Sequence, residues 1–219
     1  LKDPDLAEEL GFISNKAQIV GTADWFSHLN LLAQAVAIGG LLVFGFIFSW
    51  IFGREYSDQT IKDLLALPIP RTTVVISKFI VAIIWCLFLS IFTLILGLVT
   101  GKILNIPGWS WEIMIKGIWI FIACSSLTIL ISTPVGFFAS VGRGYLVPLG
   151  FIVFTLVLAQ IIIAIGYGQF FPWSIPALVS GITGGSGFVI DYLSIIIVLL
   201  THMLGIISTI LWWRYADQN

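Results

Sequence analysis

Five long apolar stretches, almost free of charged side chains, constrain the fold of this chain more than any other feature. About 20 apolar residues in a helix cross the hydrocarbon core of a bilayer, and only helices or closed barrels satisfy the backbone polar groups there. We therefore predict an all-α polytopic membrane protein with five visible transmembrane helices, because 59% of the residues are hydrophobic and 10% are charged. The stretches cover roughly Leu29–Phe52, Val74–Thr100, Ile113–Phe138, Leu146–Tyr167 and Ile190–Trp213.

The lysine and arginine residues outside these stretches predict how the chain is oriented. Cytoplasmic loops of membrane proteins carry an excess of these residues. The bias places residue 1 outside and residues 53–73 in the cytoplasm, and an outside start leads us to expect a sixth span before residue 1. The cytoplasmic side then holds Arg54, Lys62, Arg71, Lys78, Arg143 and Arg214, and the outer side holds Lys2, Lys16, Lys102 and Lys116.

Two further segments complete the single transmembrane domain expected over residues 1–219. Residues 1–28 are predicted to be an extracellular amphipathic segment, because apolar residues recur there at rough helical spacing. Residues 168–189 are uncharged and rich in glycine and proline. Since irregular backbone at membrane depth needs protein or water around it, we predict a re-entrant extracellular segment there.

Charge is dense in one segment, between Gly53 and Lys78. Tyr56, Thr60, Leu64 and Leu67 follow one another at helical spacing and would share one face, and Pro68 would end such a helix at Leu67. The pattern predicts an amphipathic helix of about three to four turns, followed by a stiff elbow. An ordinary solvated loop is an equally good interpretation of the periodicity alone.

The spacing of these residues resembles that of the permease subunits of ATP-binding-cassette transporters. It is similar to the second class of exporters, and within it to the bacitracin and lantibiotic immunity permeases of Gram-positive bacteria. The matching positions are Arg54-Glu55-Tyr56, Thr60, Leu64, Pro68, Arg71 and Lys78, together with DWFS at Asp24–Ser27 and FPWSIPA at Phe171–Ala177.

The resemblance implies a six-span permease of the bacterial plasma membrane that works as a dimer, with a second copy or with a paralogue. In such permeases the first cytoplasmic loop is a coupling helix that docks on the ATPase subunit, and the loop before the last span re-enters the membrane. We expect a re-entrant segment here to pack against the dimer partner. The residues that would couple to the ATPase are Arg54, Glu55, Tyr56, Thr60, Leu64, Leu67, Pro68 and Arg71.

The absence of a nucleotide-binding motif indicates that the energy for transport comes from another subunit. The chain contains no phosphate-binding GxxxxGKS or GxxxxGKT sequence. We therefore expect no cofactor on this chain, with ATP and Mg²⁺ bound by a separate ATPase subunit. The expected function is export of an antimicrobial peptide, a drug or a lipid-like substrate, and the chain itself is expected not to be an enzyme. The near-neutral net charge of −1 argues against a nucleic-acid partner.

Four polar residues within the apolar stretches are candidates for a transport path or for helix packing: His202, Gln160, Ser125 and Thr128. An ionisable group in the membrane is a functional candidate by default. A neutral histidine that bonds to a serine or threonine of the third span is the more common arrangement, so packing is favoured. An ion- or proton-coupled secondary transporter is the alternative function that His202 would support. No metal site is expected, because Cys86 and Cys124 have no metal-ligand spacing.

An intramembrane serine protease is a further alternative, because Gly184-Gly185-Ser186-Gly187 imitates a protease motif and His202 follows it. On a continuous helix Ser186 and His202 would lie roughly 24 Å apart, which is far beyond hydrogen-bond reach. The geometry therefore argues against this interpretation.

Overall fold

The computed structural model describes residues 24–60, 68–182 and 191–215. Within these residues the chain is all-α, and five helical segments are long and apolar enough to cross a membrane. The predicted polytopic α-helical class is confirmed. The spans are Trp25–Ser57, Arg71–Ile103, Trp111–Val141, Leu146–Ala164 and Tyr192–Tyr215; we call them the first to fifth spans.

The spans are built from seven α-helices, and a short eighth lies between the fourth and fifth spans. The helices are α1 (Trp25–Gln34), α2 (Gly40–Ser57), α3 (Arg71–Ile103), α4 (Trp111–Ser132), α5 (Pro134–Val141), α6 (Leu146–Ala164), α7 (Ile175–Val179) and α8 (Tyr192–Tyr215). A π-helical turn, Ala35–Gly39, joins α1 to α2 within the first span.

Capping residues explain why several spans begin before their apolar stretches. Asp24 accepts a hydrogen bond from the backbone N–H of Ser27 at 2.9 Å, so the first span starts at Trp25. Ser110 accepts one from the N–H of Ile113 at 3.2 Å and starts the third span. Residues 25–28 of the predicted extracellular segment 1–28 thus belong to α1, and residues 1–23 lie outside the described residues.

The third span breaks at Pro134, where the sequence predicts a kink. Proline has no N–H to donate to the carbonyl of Leu130. Thr133 supplies a substitute, because its hydroxyl donates to that carbonyl at 2.8 Å. α4 and α5 are thus separate helices within one span.

The first span forms the centre of the packed bundle. Leu29, Phe48 and Phe52 are completely buried, whereas the second span presents Ile84, Trp85 and other large apolar side chains on its outer surface. Apolar residues on the outside are normal for a helix that faces lipid, because hydrocarbon there replaces water.

Residues 168–182 form a broken helix that lies among the spans. Two 3-10 turns lead into α7, and every residue of α7 is buried. Cys124 of α4 donates to the carbonyl of Pro176, with 3.5 Å between sulfur and oxygen, and the side chain of Gln34 donates to the carbonyl of Ser180 at 3.5 Å. The segment therefore packs against the first and third spans of the same chain. Residues 183–190, which include the protease-like glycine motif, lie outside the described residues.

The predicted coupling helix is wrong at its start. α2 ends at Ser57, and Gln59 has a left-handed backbone with φ of 57°. A left-handed residue ends helical register, so Tyr56 and Thr60 do not share a helical face. Tyr56 instead belongs to the last turn of the first span. Leu64 and Leu67 lie outside the described residues, and Pro70 has the extended backbone that leads into α3.

Candidate functional site

The first site to consider is a buried ion pair between the first and second spans. Lys78 on α3 donates to a carboxylate oxygen of Glu55 and, at 2.6 Å, to the carbonyl of Ile51. The side chains of Lys78 and Glu55 are only 11% and 22% exposed. A charge in such surroundings needs a partner, because its desolvation is costly. Lys78 therefore fastens the second span to the end of the first.

Lys78 also lies over two aromatic rings. Its ammonium nitrogen is 5.7 Å from the ring centroid of Phe52 and 5.7 Å from that of Trp213. Both distances lie within the range of a cation–π interaction. The second oxygen of Glu55, Oε2, is buried without a hydrogen-bond partner among the described residues.

Residues of several spans contact Trp213 at this end of the bundle. It is completely buried on α8. Its carbonyl accepts a hydrogen bond from Arg71 at 3.2 Å, and its indole Nε1 donates to the hydroxyl of Ser140 at 2.9 Å. The ring of Tyr56 meets its ring edge-to-face, with 6.1 Å between centroids. Trp213 thus contacts the first, second and third spans from the fifth.

The side chains of Arg54 and Asp58 form the exposed part of the site. They make an ion pair at 3.2 Å across one helical turn, and their side chains are 62% and 51% exposed. Such a surface pair contributes only about 0–1 kcal/mol to stability. Lys62, which also lies one turn from Asp58 in the sequence, is outside the described residues.

The predicted coupling residues thus fall into two groups. Glu55, Tyr56 and Arg71 are brought together around Lys78 and Trp213. Arg54, Thr60 and Pro68 lie on the exposed surface. Trp213 was missed by the sequence analysis, because nothing in the sequence distinguishes it from the neighbouring Trp212.

His202 makes the contact that the packing interpretation predicts. Its Nδ1 lies 3.1 Å from the hydroxyl of Thr133, which is the residue at the break of the third span. The same hydroxyl donates to the carbonyl of Leu130 at 2.8 Å. The hydrogen bond therefore ties the fifth span to the third.

The other intramembrane candidates are not gathered around His202. Ser125 and Thr128 are buried, and each donates to a carbonyl of its own helix at 2.8 Å. Such bonds satisfy a hydroxyl locally and are typical of packed helices. Gln160 lies on the exposed face of α6. In the part of the chain that the structure describes, no group of three or more His, Cys, Asp or Glu residues could hold a metal ion.

A groove with a volume of about 310 Å³ lies between the third, fourth and fifth spans. Four of its nine lining residues are aromatic: Phe137, Phe138, Phe151 and Trp173. The rings of Phe138 and Phe151 stack with 3.9 Å between centroids, and Trp173 comes from the broken helix. An aromatic groove of this kind suits an apolar ligand better than an ion.

Comparison with known proteins agrees with this architecture. A family model described as "ABC-2 family transporter protein" matches residues 10–161. The chain is 30% identical over 198 residues to the bacitracin transport permease protein BCRB of Bacillus licheniformis, which covers 89% of this chain and 92% of that protein. No solved structure matches the chain.

Proposed function

Because the chain belongs to the ABC-2 family of transporter proteins, we propose that it exports an antimicrobial peptide of the bacitracin type, driven by an ATPase that docks at its charged end. We define the charged end as residues 54–60 and 68–78. Membership of the family makes the chain the transmembrane subunit of an ABC transporter and a multi-pass protein of the plasma membrane. It is a permease and not an enzyme, and ATP hydrolysis lies on a separate subunit. This assignment replaces the alternatives of a proton-coupled transporter and of an intramembrane protease.

The observation that carries the proposed substrate is the similarity to a relative named as a bacitracin transport permease. Its identity extends over 89% of this chain, so the similarity is not confined to one helix. The aromatic groove between the third, fourth and fifth spans supports an apolar or amphipathic substrate, since its lining offers few polar groups. We propose that the transporter contains two permease copies, or one copy and a paralogue, with the charged end in the cytoplasm.

The proposed docking surface is the exposed part of the charged end. Arg54 and Asp58 are more than half exposed, so their charges are available to a partner protein. Between Arg54 and Asp58 in the sequence lie Glu55, which pairs with Lys78, and Tyr56, which contacts Trp213. A push on the exposed residues would therefore reach the ends of four spans.

The substrate is tested by resistance. A strain that lacks this permease is complemented with the wild-type gene or with the empty vector, and the lowest bacitracin concentration that stops growth is measured. We expect wild-type complementation to raise that concentration several-fold, and we expect no rise when the ATPase subunit carries an inactive nucleotide site. Equal sensitivity of the two complemented strains would overturn the proposed substrate.

The docking surface is tested by the double substitution Arg54→Ala and Asp58→Ala. Truncating hot-spot residues at a protein interface costs about 2 kcal/mol or more, so we expect at least a roughly tenfold weaker association with the ATPase in pull-downs. Lys102→Ala is the matched control, because Lys102 is also exposed but lies at the far end of the second span. Retained association in the double variant, or equal loss in the control, would contradict docking at this surface.

A further inference from the structure

We infer that Trp213 is the positioning residue that carries movement of the charged end to the third and fifth spans. The inference rests on the proposed docking of the ATPase, and it adds a residue outside the segment that docks. Three contacts of Trp213 define the role: with Tyr56, with Arg71 and with Ser140.

The first two contacts hold the two parts of the charged end, residues 54–60 and residues 68–78. Tyr56 lies just before the turn at residues 58–60, and Arg71 is the first residue of the helix that follows. Both contact the same residue, one by the edge of a ring and the other by a hydrogen bond to the backbone. Lys78, which is paired with Glu55, lies over the same indole. Displacement of either part of the charged end therefore moves residues that contact the Trp213 side chain.

The third contact joins Trp213 to a residue outside the charged end. The indole N–H of Trp213 donates to Ser140 on α5, and the Ser140 hydroxyl in turn donates to the carbonyl of Gly136 at 2.8 Å. α5 is the short helix that follows the break at Pro134, so it can change its angle relative to α4 at that break. Trp213 thus holds the half of the third span that follows the break.

The fifth and third spans are also in direct backbone contact. A Cβ atom at Gly205 would lie 2.8 Å from the backbone nitrogen of Pro134, so no side chain separates the two helices there. Together with the bond to Ser140, this contact makes α5 and the second half of α8 one packed unit. A movement that enters at Trp213 is thereby delivered to the groove lined by Phe137 and Phe138, which lie on α5.

The neighbouring Trp212 provides a matched control. Its indole Nε1 is buried and has no hydrogen-bond partner among the described residues. Substitution of either tryptophan by phenylalanine removes one indole N–H and leaves an aromatic ring. Only at position 213 does the substitution break a bond between two spans.

The experiment measures a distance between spin labels in the complex of the permease with its ATPase, in lipid nanodiscs. The labels are attached at Ser77→Cys on α3 and at Val141→Cys at the end of α5, both of which are exposed positions. The native Cys86 and Cys124 are buried, which limits their reaction with the label. The distance distribution is recorded with and without ATP in otherwise wild-type protein and in Trp213→Phe, Ser140→Ala and Trp212→Phe backgrounds.

In complexes in which one permease copy carries the two labels, we expect the wild-type distribution to keep one population when ATP is added, since α3 and α5 move together. In Trp213→Phe and in Ser140→Ala, a second distance between the labels should appear. Its population should be about two- to tenfold larger with ATP than without it, which corresponds to the loss of one hydrogen bond. The variant that combines Trp213→Phe with Ser140→Ala should show no larger second population than either single variant. Trp212→Phe should resemble the wild type. A merely structural role would alter the distribution equally with and without ATP.

Two results would overturn the inference: no ATP-dependent second population in either variant, or an equal one in Trp212→Phe. If Trp213→Phe fails to assemble with the ATPase, Ser140→Ala decides alone, because it removes the same bond from the other side. No peptide is used in this measurement. A failure of the bacitracin assay with the expected distances would therefore refute the proposed substrate and leave the positioning role in place.

Discussion

Replacing Lys78 by methionine tests the buried ion pair at the charged end. The change removes the cation from Glu55, whose other oxygen is already buried without a partner among the described residues. Breaking a buried pair in this way costs about 3–5 kcal/mol. Because the Glu55 side chain keeps 22% exposure, we expect the lower end of that range, about 3 kcal/mol. For a chain of this size the loss corresponds to a melting temperature roughly 6–12 °C lower.

A double substitution separates loss of the pair from loss of packing. Glu55→Met with Lys78→Met replaces both charges by apolar side chains, and such replacements are close to neutral in buried sites. We therefore expect the double variant to recover most of the stability that Lys78→Met loses. Melting temperatures are measured on the purified permease in detergent by the loss of the monodisperse peak after heating. Lys102→Met is the control, because it removes an exposed lysine from the other end of the same helix.

The reasoning would be refuted if Lys78→Met melted at the wild-type temperature, or if the double variant were no more stable than Lys78→Met. The first result would mean that water or lipid headgroups already solvate Glu55. The second would mean that Lys78 contributes through the aromatic rings of Phe52 and Trp213 and not through its pairing with Glu55.

Two further substitutions test the contacts between the third and fifth spans. Gly205→Ala should lower stability by about 1–3 kcal/mol, because its Cβ would meet the backbone of Pro134 at 2.8 Å, whereas Gly39→Ala has no atom within 4 Å and should not be destabilising; melting temperatures compare the two. His202→Leu removes the hydrogen bond to Thr133, so we expect the free energy of unfolding to fall by about 0.5–1.5 kcal/mol. Bacitracin resistance should be retained. Lost resistance at wild-type stability would instead place His202 in the transport path.

The spans were predictable because they depend on local sequence. An apolar run longer than a bilayer core is helical whatever it packs against. Pro134 breaks its helix for an equally local reason, the missing N–H. The ends of the spans were less predictable, because Asp24 and Ser110 extend helices beyond the apolar runs by capping them.

The candidate site was less predictable because its contacts join residues that are distant in sequence. Glu55 and Lys78 are on different helices, and no periodicity links them. The continuous face from Tyr56 to Leu67 fits helical spacing, but spacing does not reveal that Gln59 adopts a left-handed backbone and ends the helix. Trp213 and Trp212 are chemically identical, so only the contacts of Trp213 with residues distant in sequence, such as Tyr56 and Ser140, distinguish them.

The division between buried and exposed residues changes which variants can test coupling. Glu55 and Tyr56 match the coupling motif, so they are the obvious positions at which to test coupling by substitution. Both side chains lie against the network around Trp213, so replacing either one disturbs packing as well as any contact with the ATPase. Arg54 and Asp58 are exposed and bond mainly to each other, so their replacement alters the docking surface while the ends of the spans stay in place. Loss of coupling in these exposed variants, with the network around Trp213 intact, is the result that only a docking surface explains.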